Sequence, residues 1–248
     1  LKDFDKFKVK NFNNLYIATM THYEDKLSAP VAFMADAVIC PLGQVLSEAG
    51  KNQLRLAETY KYAHITYFFN GLREPPFKSE YRVLVASLST SRPEEHPEMM
   101  AEAITDRLIE AAQGLAFDFI LVNYANGDTM AHTSNYDAGL KAVETIDKEI
   151  GRLLKVAIDD KIALIITSDH GNVEEMLSPA TGLPESQHDP SPVPLYLVAP
   201  EFKGRKFANW QNIGNETMGS LADVAPTILE LMGVPKPSEM TGRSLLEG

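Results

Sequence analysis

A chain of 248 residues, 44% hydrophobic, is long enough for one large α/β domain with a substantial core, or one and a half small ones. Its net charge of −11 argues against nucleic acid as the main partner, and an anionic substrate would need metal or local Lys/Arg to be held. No run approaches the length of a transmembrane span, so no membrane is expected. The single cysteine, Cys40, rules out an internal disulfide framework and fits a reducing, cytoplasmic setting; after Val38 and Ile39 it is expected in the core.

In chain order, Asn14–Thr19 reads as a short strand and Ala29–Cys40 as a connector. A helix is expected over Leu42–Ala49, closed by Gly50. Gln53–Glu58 reads as a strand. Thr59 then caps an expected helix over Tyr60–Asn70, ended by Gly71. The aromatic and β-branched content there would equally allow a strand. Helix is preferred because Arg82–Ala86 is then reached by a βαβ crossover. After a polar loop, Pro97 starts a helix over Glu98–Ala112, and Phe117–Asn123 is the next strand. A long helix runs from Asn135 to about Ala157, with Ser134-x-x-Asp137 as its capping box. Lys161–Ile166 reads as a buried parallel strand, Leu195–Val198 as a strand, and Ser220–Met232 as a last helix closed by Gly233 and stopped by Pro235. The pattern is α/β: a mostly parallel sheet with helices on both faces.

Open α/β sheets carry their chemistry beyond the carboxyl ends of strands. Three strand-flanking loops hold metal-type residues: Asp128 and His132, then Asp169 and His170, then His188. Asp128 and His132 are four apart, so one helical turn puts them on one face. Imidazole and carboxylate together are the mixed donor set that divalent Mn or Zn accepts.

Several stretches resemble the cofactor-independent phosphoglycerate mutases of the alkaline phosphatase superfamily. Asn123–Thr133 is similar to that family's NYANxDxxxHT, Thr167–Asn172 to TSDHGN, and His188–Pro194 to HTxNPVP. Ala57–Thr66 resembles AETEKYAHVT; Leu221–Leu229 and Glu239–Gly242 resemble LADxAPTxL and EMTG. The motifs are in order from about Asn14 to the end. The resemblance implies an alkaline phosphatase-like fold and a phosphoserine route between 3-phosphoglycerate and 2-phosphoglycerate. It implies two divalent metals, usually manganese, with zinc, cobalt or magnesium as alternatives. Asp128, His132 and His188 would hold one, Asp169 and His170 the other, and Lys61 would meet the phosphoryl group. His64 is read as structural, packed under the aromatic run.

The resemblance also implies what lies elsewhere. The family's first strand with a further Asp ligand, its nucleophilic serine and most of its inserted transferase domain precede the matching part. Residues 1 to about 30 are read as the tail of that domain plus linker, and 31–248 as the C-terminal part of the metal-binding domain. Such a chain is expected to be inactive alone. It departs from the family at 86–99, where PSPxVxTYDxxPEM is not kept, at Phe69–Leu72, and at Gly127 and Ala131, which replace Pro and Gly. Two other readings stay open: another phosphatase or phosphomutase of the superfamily, and a non-catalytic metal-binding module.

Overall fold

The computed structural model describes residues 8, 10, 12–23, 27–34, 38–178, 180–204 and 217–246. The chain divides into two units, Leu1–Ala37 and Val38–Gly248. The second unit is organised on β1 (Gln53–Glu58), whose six residues are all buried. It lies parallel to β2 (Glu80–Val85) on one side and to β3 (Phe119–Asn123) on the other. Side chains alternate across a strand, so Leu54 and Leu56 serve one face and Gln53, Arg55 and Ala57 the other. Leu56 packs with Ile104 and Leu108 of α2 (Ala101–Gln113) and Leu153 of α4 (Tyr136–Asp159). The opposite face meets Leu42 and Leu46 of α1 (Leu42–Glu48) and Leu229 of α5 (Val224–Leu231), with Phe69 and Phe119 against them. Helices therefore cover both faces, as the sequence pattern requires.

The polar positions of β1 have partners. Arg55 is fully buried, its guanidinium 4.4 Å from the Phe69 ring centre and 5.4 Å from that of Phe119. Burial pulls its pKa down to about 10, against the opposing pull of Glu80.

Several expectations are corrected. The expected strand over Lys161–Ile166 begins later, as β4 (Leu164–Thr167), and is only partly buried. Lys161 adopts a left-handed φ of 57° in the turn that closes α4, where the Ile162 N–H reaches Ala157 O at 2.8 Å. β4 is not parallel: it pairs antiparallel with β5 (Leu195–Val198) in a separate two-stranded sheet. Among the described residues, β3 and β4 each have one paired neighbour. Ile120, Val122 and Leu164 nevertheless pack on the same core between α2 and α4.

The segment after β1 is helical but mostly not α-helical. Thr59–Lys61 is a 3₁₀ turn and His64–Phe68 a π-helix, in which the Phe69 N–H reaches back five residues to His64 O at 3.1 Å. Thr59 is no helix cap, since its hydroxyl accepts from the Ser87 N–H at 3.0 Å, tying the ends of β1 and β2 together. Gly71 ends the segment at φ 69°. α2 starts at Ala101 rather than Glu98. Asn126 Nδ2 donates to the carbonyls of Pro97 and Glu98 at 2.8 and 2.9 Å, and Met99 has a left-handed φ of 44°. α4 is capped by Asn135, whose Oδ1 accepts from the Ala138 N–H at 3.1 Å; Ser134 lies in the left-handed region and does not cap.

The last helix forms in two pieces. Ser220 and Asp223 cap each other reciprocally over a 3₁₀ turn, Leu221–Asp223, before α5 begins. The Asp223 carboxylate also accepts the Arg243 N–H at 2.8 Å, which pins the Met240–Ser244 stretch beside the helix start. A Cβ on Gly242 would lie 2.0 Å from Ala222 O, so only glycine allows this approach.

In the first unit the expected strand over Asn14–Thr19 is not formed. One parallel bridge joins Thr19 to Val31, with Thr19 N–H to Pro30 O at 3.0 Å and Ala32 N–H to Thr19 O at 2.8 Å. Leu15, Tyr16 and Ile17 are exposed, and among the described residues this run has no neighbouring strand or apolar cover of the kind that stabilises a strand. Cys40 is also corrected: it is half-buried at φ 56°, and Val38 and Ile39 before it are exposed. Among the described residues, no helix is long and apolar enough to cross a membrane.

Candidate metal centre

β1 and β3 are parallel neighbours, so the segments leaving their carboxyl ends emerge at the same sheet edge. The 3₁₀ turn after β1 delivers Lys61, and α3 (Asn126–His132), after β3, delivers Asp128 and His132 one turn apart. The turn after β4 delivers Asp169 and His170. The loop before β5 delivers His188.

These residues converge. Asp128 Oδ1 lies 3.2 Å from His132 Nε2 and 3.1 Å from His188 Nε2, and the two Nε2 atoms are 3.2 Å apart. His170 stands at the next distance, its Nε2 4.0 Å from Asp128 Oδ1, and its ring stacks on His188 with centroids 3.6 Å apart. Asp128, His170 and His188 each offer a ligand atom within 4.8 Å of the others. Among the described residues Asp169 joins through His170, Oδ2 to Nε2 at 3.5 Å, with its side chain half exposed. Lys61 is 6% exposed, and its Nζ sits 2.7 Å from Asp128 Oδ2. The sequence expectation for His64 differs from its surroundings: it is exposed, and its ring leans against Phe68 with centroids 5.5 Å apart.

The outer partners set the tautomers. His132 Nδ1 lies 2.8 Å from Ser186 O, so in the neutral ring the proton sits on Nδ1 and donates there, leaving the Nε2 lone pair to face Asp128 and His188. His170 Nδ1 faces Gly171 O at 3.3 Å, which leaves its Nε2 lone pair toward the cluster. A carboxylate oxygen and imidazole lone pairs therefore crowd one spot. A cation about 2.0–2.1 Å from each of three tetrahedral donors sets donor separations of about 3.3–3.4 Å. The 3.1–3.2 Å triangle of Asp128, His132 and His188 fits such an ion.

Asp128 is held ionised. Burial alone would raise its pKa, but hydrogen bonds from Lys61 and Asn172, with the charges of Lys61 and His132, outweigh this and bring it down to about 2. Three bonds interlock the loops: Asn172 Nδ2 to Asp128 Oδ1 at 2.8 Å, His132 Nδ1 to Ser186 O, and Asp189 N–H to Gly171 O at 3.0 Å. Sequence reasoning did not single out Asn172, Ser186 or Asp189, although Asn172 lies within Thr167–Asn172 and Asp189, itself a carboxylate, within His188–Pro194.

A helix-clad parallel sheet, with Asp and His donors gathered from the segments that follow β3 and β4 and precede β5, is the architecture of a metalloenzyme. Residues 36–236 match the metalloenzyme superfamily, and the chain belongs to it. More narrowly, it is similar to 2,3-bisphosphoglycerate-independent phosphoglycerate mutases. It is 45% identical over 233 residues to the one from Thermomicrobium roseum, covering 94% of this chain and 44% of that protein. It is 44% identical over 245 residues to phosphoglycerate mutase 2 of that kind from Methanosarcina barkeri, covering 98% of this chain and 45% of that protein. The crystal structure of Leishmania mexicana phosphoglycerate mutase at low cobalt concentration superposes with a TM-score of 0.79 at 26% identity, over 98% of this chain and 46% of the other. The chain thus spans less than half the length of the curated relatives it matches.

Proposed function

We propose that this chain is the C-terminal, metal-holding part of a phosphoglycerate mutase that interconverts 3-phosphoglycerate and 2-phosphoglycerate through a phosphoserine. The observation that carries this reading is the meeting of Asp128 Oδ1, His132 Nε2 and His188 Nε2 within 3.2 Å of one another, beside Lys61. Asp128, His132 and His188 would hold one divalent ion, and Asp169 and His170 a second. Manganese is the preferred ion, with zinc, cobalt or magnesium as alternatives. When bound, such ions withdraw charge from phosphoryl oxygens and lower the pKa of a coordinated hydroxyl.

The chain's own residues do the rest. Lys61 presents an ammonium to the phosphoryl oxygens, held in place by Asp128. His132 keeps its Nε2 lone pair inward because Ser186 O takes its other proton. The nucleophilic serine and a further Asp ligand belong, on this reading, to segments outside the chain. Among the described residues β3 and β4 each keep one unpaired edge, and these edges offer backbone partners to such a segment. Residues 1–30 would be the end of an inserted transferase domain with its linker, and 31–248 the metal-binding part. The chain alone would be inactive. A cytoplasmic setting suits its lone cysteine.

A second reading, phosphoester hydrolysis, draws on the departure at 86–99. Leu88, Thr90, Pro93, His96 and Met99 line a small cleft with Glu58 and Tyr60, just before Lys61 in the chain. The test is the full-length protein, stripped by chelator and reloaded with Mn²⁺. Isomerisation of 3-phosphoglycerate that disappears in Asp128→Ala supports the mutase reading. Hydrolysis of phosphoesters without isomerisation would replace it with the second.

A further inference from the structure

The two oxygens of Asp128 are held differently. Oδ2 takes the charged Lys61 ammonium at 2.7 Å, while Oδ1 takes a neutral donor, Asn172 Nδ2, at 2.8 Å, and also faces His132 and His188. A carboxylate oxygen offers about two lone-pair directions. With Asn172 filling one, the other is left for the gap between the two imidazoles. A neutral amide does this without placing a second positive charge where a cation would sit.

The cost of keeping an asparagine there is visible. Asn172 is 5% exposed, and its Oδ1 is buried with no hydrogen-bond partner among the described residues. A buried amide oxygen without a partner destabilises a fold, so packing alone does not explain this residue. The amide orientation is set by Asp128, because the reverse would face oxygen to carboxylate oxygen. The backbone around it is also gripped. The Asn172 N–H donates to Glu174 Oε2 at 2.8 Å, and a Cβ on Gly171 would lie 2.5 Å from both Asp189 Oδ1 and Glu174 Oε1. Asn172 thus stands on a fixed backbone, and its amide spans from the Asp169–His170 loop to the Asp128–His132 helix.

We infer that Asn172 is a positioning residue of the metal centre: its carboxamide fixes the Asp128 carboxylate for the Asp128–His132–His188 donor set and locks that set against His170. This rests on the metal reading above. It assigns Asn172 no contact with substrate.

The experiment is a Co²⁺ titration of the intact, chelator-stripped protein, read by visible absorption and repeated with Mn²⁺ by paramagnetic resonance. It compares wild type, Asn172→Ala and Asn172→Leu, the last keeping the side chain's shape without the donor or the orphaned oxygen. Both variants are expected to bind about 10–100-fold more weakly, the range for loss of a partner that orients a ligand, with a changed Co²⁺ spectrum. Metal-free Asn172→Leu is expected to melt at or above the wild-type temperature, so affinity and stability move apart. Affinities within about twofold of wild type and an unchanged spectrum in both variants would overturn the positioning role and leave the metal reading standing. A wild-type protein that takes up neither ion would overturn both.

Discussion

Lys61 Nζ and Asp128 Oδ2 meet at 2.7 Å beyond the ends of two neighbouring parallel strands, with side-chain exposures of only 8% and 18%. This pair joins the proposed phosphoryl-binding cation to a proposed metal ligand. Removing one member of a sheltered pair leaves the other unmatched. Lys61→Met is therefore expected to destabilise the metal-free protein by about 1–3 kcal/mol. Urea unfolding at pH 7 measures it, and an unchanged midpoint would show the pair to be energetically idle.

The same pair sets an acid limit. The folded-state pKa of Asp128 is depressed to about 2, below its unfolded value. A depressed carboxylate contributes stability that is full above the unfolded pKa and is lost as pH falls through the folded one. The window is therefore from about pH 4 down to about 2, and solvent screening trims the contribution to about 1–2 kcal/mol. Metal-free wild type should lose this increment across that window and Asp128→Asn should not, as denaturant melts at about pH 5 and about pH 2.5 would reveal.

Ion binding should appear as stability. An ion that binds only the folded chain, at about 100 times its dissociation constant, adds about 2.7 kcal/mol. Mn²⁺ is expected to raise the melting temperature of the chelator-treated intact protein. His188→Ala, which removes one corner of the 3.1–3.2 Å triangle, should abolish most of that rise. An equal rise in the variant would move the ion away from His188.

Much of this arrangement was legible in the residues. β1 and β5 begin and end where their apolar runs and flanking polar residues place them, and Gly50, Gly71 and Gly233 close their segments with the positive φ expected of them. The Asp128–His132 spacing forecast one shared helical face, and α3 provides it. What stayed hidden depended on partners remote in sequence. Ser134 looked like a cap, but Asn135 wins because Ser134 is committed to a left-handed turn. The direction of β4 is set by pairing with β5, about thirty residues on, which no local period encodes. The role of Asn172 rests on a side chain 44 residues away.

Glycine at 242 offers a sharper stability test. Gly242→Ala drives a methyl group into the Ala222 carbonyl, 2.0 Å from the ideal Cβ position. A loss of about 2–3 kcal/mol is expected, typical of forced overpacking. Gly50→Ala, where φ is 73° but nothing lies within 4 Å, should cost only about 1 kcal/mol. Thermal melts of the two variants side by side check the ranking. Reversal of their order would mean that the Met240–Ser244 stretch is not pinned as described.

The π-turn at His64–Phe68 makes the stretch between β1 and Gly71 sensitive to length rather than to composition. It accommodates one residue more per hydrogen-bonded turn than an α-helix does. The π-turn already carries one residue in excess, so deleting a residue there would let the backbone rewind as α-helix with its ends nearly in phase. Adding a residue is different, since each residue of phase turns a helix by about 100°. Lys61 is anchored at one end by β1, and at the other Phe69 packs on the core and Asn70 is buried, so that rotation has nowhere to dissipate. Descendants of this chain can lose a residue along the segment, whereas a further one-residue insertion would swing either the lysine or the core aromatic out of place.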